Sequence, residues 1–189
     1  MQIRITGKQL APFSQEIEEL FNRFEMPARL LAHLSLVHDV AYKLLDALTD
    51  TFPNLRIDND LVLFGAATHD IGKCVHKNEL SQTGNLHEYD GFQILLKFGV
   101  SDKKAKFAQT HSSWSENSTF EELLVSLSDK IWKGCRNQEL EDLLITKITN
   151  TTNKERWEVF CHLDDIIQSI TKNADERLNW QNQFEVYIC

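Results

Sequence analysis

Between residues 28 and 48 the apolar positions Leu30, Leu34, Val37, Ala41, Leu44, Leu45 and Leu48 recur three or four apart. That spacing lays them along one side of a helix about six turns long. A helix with a single apolar stripe must bury it against other elements, so the chain has to supply partners for this one. It does so with more helices. Residues 14–24 carry Ile17, Leu20, Phe21 and Phe24 at the same spacing, and Asp58 or Asn59 caps a helix running to His69. Further helices are expected over 86–98, with Gly99 as the stop, and over 101–110. Thr119 with Glu122, and Thr152 with Glu155, read as capping boxes ahead of Leu123 and of Trp157. Trp132, Trp157 and Phe160 fall among aliphatics at helical spacing and are assigned to the core. Seven Gly and three Pro are too few for a loop-rich β fold. The fold class is therefore all-α, a mainly helical bundle forming a single domain over 1–189. Only the termini alternate, around Ile3 and Ile5 and around Phe184, Val186 and Ile188, so a short β pairing of the two ends is expected.

Composition removes several function classes. No run of about 18 apolar residues occurs, so no membrane span is expected, and the N-terminus lacks the apolar core of a signal peptide. With 20 basic and 28 acidic residues the net charge is −8. An acidic chain with no basic run is poorly suited to long nucleic acid. It can still take a small phosphorylated substrate if a bound cation supplies positive charge. The four Cys form no CxxC pair, which fits free thiols in a reducing cytoplasm.

The chemistry-bearing residues are His and Asp. His69 and Asp70, in THDIGK, follow an apolar helix and precede a glycine turn at Gly72. An imidazole and a carboxylate presented together suit a divalent transition ion or Mg²⁺. Lys73, just past the turn, is placed to meet a phosphate. His33 lies at the edge of the long helix's buried stripe, whereas His38, five residues on, points elsewhere. Asp129 lies close to an apolar face, where a carboxylate is costly unless paired or metal-bound. His87 opens one helix and His111 closes another. His76 and His162 read as surface residues, Trp114 as a residue at a pocket mouth, and residues 102–106 as a solvated face.

The ordered set His33, His69–Asp70, Asp129 resembles the H…HD…D signature of the HD-domain superfamily of metal-dependent phosphohydrolases. The strings RLLAHLSLVHDVA at 29–41, THDIGK at 68–73 and SDKIW at 128–132 carry the resemblance. Two more, ELSQTGNLHEYDGFQILLKFGV at 79–100 and FAQTHSSW at 107–114, resemble segments that supply extra histidines. It covers 29–136, leaving 137–189 as C-terminal helices that complete or cover the core.

The resemblance implies an HD-like helical bundle in which His33, His69, Asp70 and Asp129 bind one divalent ion (Mn, Fe, Co, Ni, Mg or Zn). A second ion, or a phosphate contact, falls to His87 and His111 with Asp70 as bridge. His111 is followed by Ser112 where the cyclic-dinucleotide phosphodiesterase branch often has a second His. The GYP signature of that branch is absent. The expected function is hydrolysis of a phosphomonoester or phosphodiester of a small molecule, such as a nucleotide, by a metal-activated water. Asp70 and Lys73 are its catalytic residues. A di-iron HD-type oxygenase and a non-catalytic metal or nucleotide sensor are the alternatives, and homo-oligomerisation is left open.

Overall fold

The computed structural model describes residues 4–5 and 8–185. A two-residue hairpin, β1 (Arg4–Ile5) with β2 (Lys8–Gln9), precedes a run of helices. These are α1 (Gln15–Phe21), α2 (Ala28–Thr51), α3 (Asn59–Thr68), α4 (Leu86–Lys97), α5 (Asp102–Ala105), α6 (Phe107–Thr110), α7 (Phe120–Ile131), α8 (Gln138–Thr152), α9 (Arg156–Thr171) and α10 (Ala174–Gln181). Two 3₁₀ turns, Ile71–Cys74 and Lys77–Leu80, link α3 to α4. The all-α expectation stands. Among the described residues no helix is long and apolar enough to cross a membrane.

The helix starts follow capping chemistry. Ser14 accepts from Ile17 N, and Asp58 accepts from Leu61 N at 3.1 Å. Thr119 and Glu122 form a reciprocal capping box, with Thr119 N donating to Glu122 Oε2 at 2.8 Å. The second expected box does not form. α8 continues through Thr152, whose hydroxyl donates back to the Ile148 carbonyl, and stops at left-handed Asn153. Residues 101–110 divide at Lys106 into α5 and α6. The terminal β pairing is replaced, for Arg4 and Ile5, by pairing with Gln9 and Lys8. Residues 2–3, 6 and 186–188, which were to complete it, lie outside the described residues.

The apolar faces assemble into two clusters. The larger joins most of α2 to α3, α7, α8 and α9, with Leu44, Leu124, Leu144 and Ile167 fully buried. The smaller joins α1, the start of α2, α3, α4 and α6 through Leu30, Leu34, Phe64 and Leu95. Trp132 is buried as expected, but Trp157 and Phe160 are 69% and 52% exposed. They lie on the outer side of α9, whose inner stripe is Val159, Leu163, Ile166, Ile167 and Ile170. The C-terminal helices complete the core. Arg177 of α10 is buried, and its guanidinium donates to the carbonyls of Trp132 (2.6 Å), Ile131 and Ile170. It thereby satisfies the carbonyl end of α7.

Candidate metal centre

Each candidate residue is delivered by a different element. His33 comes from α2, His69 ends α3, Asp70 follows it, His87 lies in the first turn of α4, His111 ends α6, and Asp129 belongs to α7. His33 sits between Leu34 of the smaller apolar cluster and Leu36 of the larger, and His69 follows Ala66 and Ala67, one from each. The polar centre therefore lies along the seam of the two cores.

Gly72 sets how close α4 can come. A Cβ there would stand 2.0 Å from the His87 carbonyl oxygen, and one at Gly91 would stand 3.1 Å from Gly72 N. Only bare backbone permits that approach, which brings His87 against Asp70.

Two groups of donors result. In the first, His33 Nε2 is 3.2 Å from His69 Nε2, 3.2 Å from Asp70 Oδ2 and 3.5 Å from Asp129 Oδ1. His69 Nε2 is 3.7 Å from Asp70 Oδ2 and 3.6 Å from Asp129 Oδ1. Donors about 2.1 Å from a common ion stand roughly 3.0–3.5 Å apart at octahedral or tetrahedral angles. These separations are near that range.

In the second group, Asp70 Oδ1 is 3.0 Å from His87 Nε2 and 3.5 Å from His111 Nε2. His33, His69 and Asp129 form one set able to hold an ion, and Asp70, His87 and His111 form another. Asp70 belongs to the second, and its other oxygen, Oδ2, lies beside His33 and His69 of the first.

The outer nitrogens are committed to acceptors, which leaves the inner ones as lone-pair donors. His69 Nδ1 faces the Ala66 carbonyl at 3.0 Å, and His111 Nδ1 faces the Phe107 and Ala108 carbonyls. His87 Nδ1 is paired with Glu79. Asp70 Oδ1 and His87 Nε2 are buried, face each other at 3.0 Å and have no other hydrogen-bond partner, so either a proton or a metal ion between them satisfies both.

The electrostatics agree. Burial raises the Asp70 carboxyl, but His69, His33, His87 and Lys73 together hold it well below the usual range. Asp129 is likewise lowered against burial, by His69 and His33. Burial pushes His33 down and His111 down to about 4, which favours the neutral, ligating imidazole. His87 is raised instead, because Asp70 and Glu79 outweigh burial. Lys73 Nζ donates to Asp70 Oδ2 at 2.7 Å.

A cavity of about 270 Å³ opens over both groups, and Arg29, Lys73, Lys133 and Gln181 contribute to its lining. Trp114 does not reach it and lines a separate groove against α8. His76 is half-buried and pairs with Asp90 at 2.5 Å, and His38 is buried away from the centre.

The family model of the HD domain matches residues 30–146, more than half of the 189. The chain belongs to the HD-domain family. No curated protein and no solved structure matches it. The HD-domain match runs past residue 136 into α8, so the family core includes part of the segment that completes the larger cluster. This HD domain thus belongs to a superfamily of metal-dependent hydrolases and carries His/Asp groups placed to hold metal. Glu79, Arg29 and Lys133 were not among the residues that the sequence singled out. Nothing local marks Glu79, which lies eight residues and a loop before His87.

Proposed function

We propose that this HD-domain protein is a metal-dependent phosphohydrolase that cleaves a phosphomonoester or phosphodiester bond of a small molecule. The observation that carries the reading is Asp70, whose two oxygens each face a separate set of histidines. His33, His69, Asp70 and Asp129 hold one ion, and Asp70, His87 and His111 are placed to hold a second. A divalent ion bound there supplies Lewis-acid polarisation of a phosphoryl oxygen and a nucleophilic water near neutral pH.

The chain's own side chains do the rest. Lys73 turns its ammonium from Asp70 toward a phosphate oxygen, stabilising charge that grows in the transition state. Lys133, which has no carboxylate partner among the described residues, and Arg29 add positive charge along the same cavity of an otherwise acidic protein. Arg29 is steadied by the Asn182 side chain and the Phe184 carbonyl. With a single ion bound, the Asp70 and Glu79 carboxylates favour the protonated form of His87, which can then deliver a proton to the leaving oxygen. The cavity's volume is on the scale of a small metabolite.

The test is a phosphatase and phosphodiesterase panel with Mn²⁺, Co²⁺, Ni²⁺ or Mg²⁺, run on wild type and Asp70→Ala. Turnover by the wild type and a loss of at least about 100-fold in the variant are expected. Equal rates would reject the assignment. The two donor sets together would also suit a pair of irons. A coupled-iron EPR signal together with O₂-dependent oxidation of substrate would favour oxygenase chemistry instead. Tight metal and ligand binding with no turnover on any substrate would favour a sensor.

A further inference from the structure

We propose that Glu79 is the positioning residue of the second donor set: it fixes His87 as a metal ligand, so the affinity of the second ion depends on it. This rests on the two-ion form of the reading above.

Glu79 lies in the second 3₁₀ turn, outside α4, and its side chain is 10% exposed. Its carboxylate closes over the start of α4. Oε1 accepts from Leu86 N at 3.1 Å, and Oε2 accepts from His87 N at 3.2 Å and from His87 Nδ1. The loop between is shaped around that carboxylate, since a Cβ at Gly84 would stand 2.3 Å from Glu79 Oε1.

One consequence is ordinary capping of a helix start. The other is specific to the centre. In the neutral ring, donation from Nδ1 leaves Nε2 with its lone pair, and the imidazole plane is held so that Nε2 faces Asp70 Oδ1 at 3.0 Å. Both atoms are buried, and neither has another hydrogen-bond partner. When Nε2 carries no proton, that nitrogen and the carboxylate oxygen repel each other at this distance unless a metal ion lies between them. A residue needed only as a cap would bind the backbone N–H groups. Glu79 also takes the one ring nitrogen that must be occupied if the other is to ligate. Glu79 bonds directly to no residue of the first donor set, so the two ions are expected to respond to it separately.

The experiment titrates Mn²⁺ into the full chain and reads free Mn²⁺ by EPR, for wild type, Glu79→Gln and Glu79→Ala. The wild type is expected to bind two ions. Glu79→Ala is expected to bind the first with unchanged affinity and the second about 10- to 100-fold more weakly. Glu79→Gln, which keeps an acceptor but not the charge, falls between. Occupancy of the first site shows that a variant is folded, and the Gln variant carries the test if Glu79→Ala does not fold. Two ions bound with wild-type affinity by both variants would overturn the role of Glu79 and leave it a helix cap. A single Mn²⁺ in the wild type would overturn the two-ion reading itself.

Discussion

Asp70 has a neighbour on every side: His33 and Lys73 at one oxygen, His87 and His111 at the other. The adjacency His69–Asp70 was legible in the sequence, because a helix end followed by a glycine turn leaves few places for both side chains to go. Glu79 was not legible, since its contact with His87 depends on how the intervening loop closes. His38 shows the converse case. Helix geometry turns it away from His33, and it is buried with Nδ1 unpaired and the Phe13 ring 4.8 Å away. Burial lowers it to about 4, against the opposing charge of Asp39. The unfolded chain therefore takes up this proton near pH 6.5, while the folded chain resists it until about pH 4. Stability should fall across that interval as pH is lowered, by roughly 3 kcal/mol for full expression of the shift. His38→Leu should lack that part of the decline. Urea unfolding at pH 7 and pH 4 measures it, and parallel pH profiles for the two proteins would show that His38 is not responsible.

The elements explain which expectations held. α2 and α7 carry strong apolar periodicity, α7 has a clear start signal besides, and both form much as their patterns require. Thr152 failed as a cap because its hydroxyl is satisfied by the preceding turn of α8, so that helix extends to its position. Trp157 and Phe160 misled because spacing marks a face without showing that another element covers it. The contact between α4 and the first 3₁₀ turn depends on Gly72 lacking a side chain, a tertiary requirement that no local pattern displays. α10 has a stabilising role that its polar sequence hides. Arg177→Met would strip three buried carbonyls of their donor. A loss of about 3 kcal/mol in urea unfolding is expected. A loss below about 0.5 kcal/mol would mean that solvent or a rearranged α10 replaces the guanidinium.

At the scale of the molecule, two apolar clusters meet along a seam and the polar centre occupies it. Placing six ionisable side chains there is costly in the absence of an ion, because buried charges need partners. The family match and the donor geometry agree on a divalent metal ion as a fitting partner, and α8 and α9 contribute to the larger apolar cluster. The substrate was never legible, because the cavity is lined jointly by α2, the segment 70–88, the end of α6, α7 and α10. The most direct measurement is anomalous diffraction at the Mn edge from crystals of the full chain grown with Mn²⁺. One peak should lie among His33, His69, Asp70 and Asp129, and a second among Asp70, His87 and His111. No peak at the first position, with manganese bound elsewhere or not at all, would contradict the account.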